Sequence, residues 1–299
     1  MKTIEVESYS SLQQIRALNK ESKHIVDVPR PFLKWAGGKR QLIQQLDEYI
    51  PKEYNKYIEP FVGGGALLFY MLPQKAIIID DNEDLMNCYR IIKNNVSELL
   101  ELLKEHVNEK TYFYKVRALD RDEEKFATLS DVEKASRTIF LNRCCYNGLY
   151  RVNSKGQFNA PFGRYKNPKF CDEKNLNAVN ITLQNVEIYK DTFDKCLELA
   201  EKDDLIYFDP PYHPISSTAY FTGYTKENFG REAQRKLFKT FKKLDDMGCK
   251  VMLSNSHNDF IKKLYKDYNI NIIYAKRAIN SKASKRGKIK ELLILNDYL

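Results

Sequence analysis

Between Tyr57 and Asp80 the chain reads YIEPF, then VGGG, then ALLFYML, then KAIIID. A strand, a glycine turn, a helix and a second strand in that order make one parallel βαβ step, because parallel strands need a crossover that a tight hairpin cannot provide. A wound α/β sheet therefore starts here. The alternation returns later with VEIYK, a helix predicted over roughly 192–201, the apolar strand DLIYFD, a helix over roughly 231–247 and the strand KVMLSNS. KELLILND near the C-terminus supplies one further strand. Between these two parts, from about Asn82 to Asn147, the sequence reads as successive Leu-, Lys- and Glu-rich helices with no strand-like run. GLYRVNSKGQFNAPFG then sets the turn signal Asn153-Ser154-Lys155-Gly156 between two aromatic-bearing segments, the pattern of a β-hairpin. The simplest architecture is an α/β sheet domain interrupted by a helical-plus-hairpin insert of about ninety residues.

At 299 residues with 43% hydrophobic side chains, the chain can bury a sizeable core and is not a disordered segment. Its 49 Lys and Arg against 40 Asp and Glu leave a formal charge of +9, which points toward a polyanionic partner. Placement says more than the sum. Val28–Leu46, Leu141–Phe170 and Ala275–Lys290 carry basic residues and no acid. The middle stretch also holds Tyr146, Tyr150, Phe158, Phe162 and Tyr165, a mixture suited to gripping phosphates while touching bases. The six cysteines form no C-x-x-C pair and two are adjacent, so neither a zinc site nor a disulfide framework is expected. The first twenty residues lack an apolar core, and no run approaches the ~18 apolar residues of a membrane span. The expectation is a cytoplasmic protein with no membrane partner.

Three constellations carry chemistry. Pro60-Phe61-Val62-Gly63-Gly64-Gly65 ends a strand, where glycines permit a tight turn and free helix N–H groups can meet a ligand. Leu68 stands where a dinucleotide-binding fingerprint would need its third glycine, so pyrophosphate binding is disfavoured. The next strand ends in Asp80, placed as a carboxylate that accepts from ribose hydroxyls. Loop and acid together favour S-adenosylmethionine over NAD. Asp209-Pro210-Pro211-Tyr212 follows the apolar strand Leu205–Phe208, and the C-terminal ends of such strands are where ligands bind. Two successive prolines donate no N–H and hold the chain extended, leaving carbonyls to accept from a substrate amine.

In this order the motifs resemble the Dam-type DNA adenine N6-methyltransferases, both the housekeeping members and those paired with restriction enzymes that read GATC. The resemblance runs from about Arg30 to Asp297. It is carried by Pro31-Phe32-Leu33-Lys34-Trp35-Ala36-Gly37-Gly38-Lys39, the loop Glu59–Gly65, Tyr146-Asn147-Gly148-Leu149-Tyr150-Arg151, the run Phe158–Pro168 and Asp209–Tyr212. It implies a Rossmann-like S-adenosylmethionine-dependent methyltransferase sheet with an inserted helical plus β-hairpin DNA-recognition domain. The expected division is an extension over 1–27, a catalytic domain over 28–90 and 183–299, and a target-recognition domain over 91–182. Trp35, Lys39, Phe61, Gly63, Gly65, Asp80 and Asp209 are implied to hold the cofactor. Asp209 would touch the target amine as well. Lys34 resembles the residue contacting the guanine that begins the site, and Arg151 the hairpin arginine that reads the outer G·C pair. Tyr146, Asn147 and Leu149 would line the rim where the duplex opens, and Pro161 would pack on a base of the site.

The implied chemistry has Asp209 and the Pro210 carbonyl accept the two N6–H bonds of an adenine whose lone pair is otherwise conjugated into its ring. Tyr212 would stack on the base after it leaves the duplex. The expected partner is double-stranded DNA, with a restriction endonuclease as a functional companion without a stable complex, and the enzyme acting as a monomer or weak dimer. Two alternatives stay open: a catalytically silent DNA-binding module, and a cytosine-N4 methyltransferase, which usually carries Ser where this chain has Asp209.

Overall fold

The computed structural model describes residues 27–211, 229–276 and 288–298. Seven strands form one sheet: β1 (Tyr57–Pro60), β2 (Ala76–Asp80), β3 (Val186–Lys190), β4 (Leu205–Phe208), β5 (Lys250–Ser256), β6 (Asn269–Lys276) and β7 (Lys288–Leu295). Their spatial order is β3-β2-β1-β4-β5-β7-β6. β4 runs parallel to β1 and to β5, pairing Leu205 with Tyr57 and with Lys250, whereas β7 lies antiparallel to β5 and to β6. The fold is thus the mixed, mostly parallel α/β sheet of a Rossmann-like methyltransferase. β1 and β4 are buried along their whole length, as expected of central strands covered on both faces.

The described residues divide into two compact units, one falling within Met1–Ala36, Gly63–Ala76 and Asn82–Ile188 and the other within Gly37–Val62, Ile77–Asp81 and Tyr189–Leu299. In the first, the five longest helices among the described residues are α1 (Glu83–Asn94), α2 (Val96–Lys104), α3 (Lys110–Arg117), α4 (Asp131–Cys144) and α5 (Glu173–Leu183). Local chemistry sets their ends. Asn82 caps α1 by accepting from the Leu85 N–H, and Ser130 with Glu133 forms a reciprocal capping box at the start of α4. α4 is buried around most of its circumference, including Arg137, whose guanidinium pairs with Asp120 at 2.7 Å. Asp120 also accepts from the Phe158 N–H, so this buried pair anchors the hairpin segment to the helices.

That segment departs from the predicted form. Asn153 closes the turn by accepting from the Lys155 and Gln157 N–H groups, but the arms form isolated bridges, Val152 to Phe158 and Cys145 to Phe162, and single backbone bonds such as the Asn159 N–H to the Arg151 carbonyl, rather than continuous paired strands. Tyr150 and Phe158, read from the sequence among base-touching aromatics, are buried instead and pack edge to face.

The core of the second unit joins Ile58, Ile79, Ile206, Phe208, Val251 and Leu253 of the strands to helix α6 (Arg231–Asp246). α6 buries Leu237, Phe241 and Leu244 at helical spacing while Arg235, Lys236, Lys239, Lys242 and Lys243 face water. Each fully buried aliphatic or Phe side chain of this core stabilises by roughly 1.5–3 kcal/mol. No helix among the described residues is long and apolar enough to cross a membrane.

Candidate active site

Asp209 follows β4 directly, at the C-terminal end of a strand with parallel neighbours on both sides. Its carboxylate Oδ1 lies 2.6 Å from Lys39 Nζ; the lysine side chain is 4% exposed and the aspartate 18%. Lys39 also donates to the Gly37 carbonyl at 2.8 Å, in a turn where Gly37 takes a left-handed φ of 75°. Burial pushes the Asp209 carboxyl up to about 6, the Lys39 ammonium holds it down, and Glu291 adds a smaller upward push. The pair therefore contains a carboxylate whose charge depends on one neighbouring cation. Pro210 and Pro211 come next, and Gln234, buried on α6, reaches the Pro211 carbonyl at 3.5 Å and accepts from buried Asn255 at 2.9 Å. Tyr212 and His213 lie outside the described residues.

In the same unit Phe61 occupies the left-handed region, φ 69°, a strained conformation for a non-glycine residue. Its N–H donates to the Ile79 carbonyl at 2.9 Å, and its ring stacks on Phe193 and meets Phe208 and Phe229 edge on. Strain of this kind persists where the surroundings dictate it. Asp80 closes β2, with its carbonyl accepting from the Asp191 N–H.

In the first unit Trp35 stacks on Tyr150 with ring centroids 5.1 Å apart, and Tyr150 donates to Asp84 at 2.6 Å. Gly63, at φ 49°, sits under Trp35, where a Cβ would come within 2.7 Å of Cδ1. At Gly65, φ 67°, a Cβ would meet the Tyr89 hydroxyl at 2.7 Å. These glycines are required by the turn and by the aromatic neighbours that fill the space beside them.

The remaining sequence-predicted residues share the first unit. Lys34, Tyr146, Asn147, Leu149, Arg151 and Pro161 are all exposed. The Tyr146 N–H donates to the Pro161 carbonyl at 2.8 Å, Asn147 adopts φ 57°, and the Lys34 ammonium lies 4.3 Å from the centre of the Tyr165 ring. Arg151 donates through Nε and Nη2 to the side chain and carbonyl of Asn159, at 2.6 and 3.1 Å. That tether uses two of its five N–H donors and fixes the plane of the guanidinium. Asn159 as a tether, and Tyr165 as a rest for Lys34, are roles that the sequence reading leaves unassigned.

Comparison with known proteins decides what these motifs belong to. Residues 35–279 match the family described as D12 class N6 adenine-specific DNA methyltransferase. The chain belongs to this family. The methyltransferase is 48% identical over 271 residues to the type II methyltransferase M1.LlaDCHI of Lactococcus lactis subsp. cremoris, covering 89% of this chain and 95% of that one. It is 49% identical over 287 residues to the type II methyltransferase M.MjaIII of Methanocaldococcus jannaschii, covering 89% and 99%. It is 35% identical over 273 residues to the DNA adenine methylase of Haemophilus influenzae, covering 89% and 93%. The enzyme is thus an adenine-specific DNA methyltransferase, using a methyl donor of the S-adenosylmethionine type and DNA as its partner. Of the two alternatives left open by the sequence, cytosine-N4 specificity and a silent module, neither matches this membership.

Proposed function

We propose that this methyltransferase transfers the methyl group of S-adenosylmethionine to N6 of the adenine in GATC within double-stranded DNA, after the base has left the helix. The observation that carries the reading is the Lys39–Asp209 pair at the end of β4, followed at once by two prolines. S-adenosylmethionine, when bound, supplies a sulfonium-activated methyl group. The residues fit such a group by their chemistry: Asp80 offers a carboxylate to ribose hydroxyls, Phe61 an aromatic face, and Asp209 a negative charge to the cationic end. Trp35, Lys39, Gly63 and Gly65 complete the set that the resemblance implies.

Toward the substrate, the Asp209 carboxylate accepts one N6–H and the Pro210 carbonyl accepts the other. Two acceptors placed there favour a pyramidal nitrogen and release its lone pair from the ring. The methylated nitrogen is strongly acidic, so no strong general base is needed. Tyr212 stacks on the extruded base, because N6 cannot be reached inside a duplex. Lys34 and Arg151 read guanine edges, Tyr146, Asn147 and Leu149 line the opened rim, and Pro161 packs on a base. The three donors that Arg151 does not spend on Asn159 suit the bidentate guanine geometry. The enzyme works as a monomer or weak dimer on DNA, with a restriction endonuclease as a functional companion rather than a bound subunit.

The test is methyl transfer from labelled S-adenosylmethionine to matched duplexes carrying GATC, GATC already N6-methylated on both strands, or a scrambled site. Label in the first duplex alone is expected. Label in all three would remove the proposed site while keeping the reaction. Arg151→Ala is expected to lose discrimination at one G·C pair by roughly 1–3 kcal/mol. Uniform weakening on every duplex would recast Arg151 as a phosphate contact.

A further inference from the structure

The segment Arg30–Lys34 belongs to no strand among the described residues, yet its backbone polar groups are held one by one. Asn175, buried on α5, accepts from the Arg30 N–H and donates to the Arg30 carbonyl, both at 3.0 Å. Arg143 of α4 donates to the Phe32 carbonyl at 2.8 Å and the Pro31 carbonyl at 3.4 Å. Asn142, fully buried beside it, accepts from the Lys34 N–H at 2.8 Å and donates to the Lys34 carbonyl at 2.9 Å and the Gly148 carbonyl at 3.3 Å. One carboxamide therefore ties Lys34 to the turn that presents Asn147. The Lys34 side chain runs over Gly148 so closely that a Cβ there would stand 2.2 Å from Lys34 Cδ. Beyond it the ammonium rests over Tyr165.

We infer that Asn142 is a positioning residue for base reading, which fixes the register between Lys34 and the Tyr146–Leu149 loop, a role that rests on the proposed contact between Lys34 and a guanine. A buried carboxamide is costly unless its donors and acceptor are satisfied, and here these bonds go to the backbone of segments carrying proposed reading residues. Asn175 makes the same bracket four residues upstream, around Arg30, and so serves as an internal control for loss of the strap alone.

The experiment compares Lys34→Ala, Asn142→Asp, Asn175→Asp and the Lys34→Ala/Asn142→Asp double variant in the full chain. Readouts are kcat and KM on duplexes carrying GATC or a changed first base pair, affinity for S-adenosylmethionine, and Tm. In Asn142→Asp the new carboxylate keeps an acceptor for the Lys34 N–H but cannot donate to either carbonyl. Asn142→Asp is expected to reduce discrimination at the first pair about tenfold or more, with cofactor affinity unchanged. In the Lys34→Ala background the same change should cost less than about twofold, because the residue through which it acts is gone. Asn175→Asp should lower Tm while keeping discrimination. Retained discrimination in Asn142→Asp, or losses that multiply in the double variant, would overturn the inference. If Asn142→Asp does not fold, Gly148→Ala tests the same register from the other side and should bring the same loss; intact discrimination there overturns the inference as well. Intact discrimination in Lys34→Ala removes the guanine contact itself and the positioning role with it, an outcome distinct from failure of Asn142→Asp alone.

Discussion

Asp209→Ala is expected to lower turnover by on the order of 10³-fold while leaving DNA affinity within a few-fold. Charge placement is the reason. An aromatic amine attacks poorly until its hydrogens are drawn to acceptors, and of the two proposed acceptors only Asp209 carries a full negative charge. Single-turnover methyl transfer, with DNA affinity measured separately, checks the result; equal losses in both would make Asp209 a structural residue. The same carboxylate sets the pH dependence. Because burial raises it to about 6 from 3.8, kcat/KM for wild type should fall as pH drops through about 6. Stability runs the other way: the contribution of this group is complete below 3.8 and is lost as pH rises through about 6, so ionised Asp209 weakens the fold at neutral pH. A charge held at a cost to stability, at the end of a buried strand, is what a functional site requires.

The sheet can be read in the sequence where burial is complete. β1, β2, β4 and β5 are short apolar runs bounded by turns, and each stands where the pattern puts it. β6 is absent from that reading because it is an edge strand: Ile273 is buried while Ile272 and Tyr274 on either side are exposed, so NINIIYAK shows no clear inward face before β7 is known to pair with it. The helix predicted over 192–201 contracts to a tight turn and Cys196–Leu199, since Phe193 is drawn toward the Phe61 ring. The site shows the same contrast. Asp209 and its prolines announce themselves by composition, whereas Asn142 sits inside an ordinary helical stretch and acts on residues 108 positions away. Contacts of that range leave no local signature. Tyr150 misleads for a related reason, because an aromatic in a basic run carries no mark of whether its ring faces DNA or, as here, Trp35.

Lys39→Gln separates two roles that the geometry superimposes. Through its contact with Asp209 the ammonium opposes the effect of burial, by charge and by hydrogen bond. Through the Gly37 carbonyl it also closes the turn that follows Trp35. Removal of an opposite charge at this distance raises a carboxyl pKa by roughly 1–3 units, so the acid limb of kcat/KM should move from about 6 to neutrality or above. At pH 7 the variant should be strongly impaired, and raising the pH should restore much of the loss, since ionising Asp209 is then again favourable. The profile is measured at saturating S-adenosylmethionine, so that weaker cofactor binding does not mimic the shift. A loss that is the same at every pH would place Lys39 in the cofactor pocket alone, acting on the donor or on the Gly37 turn and leaving the charge of Asp209 to burial and Glu291.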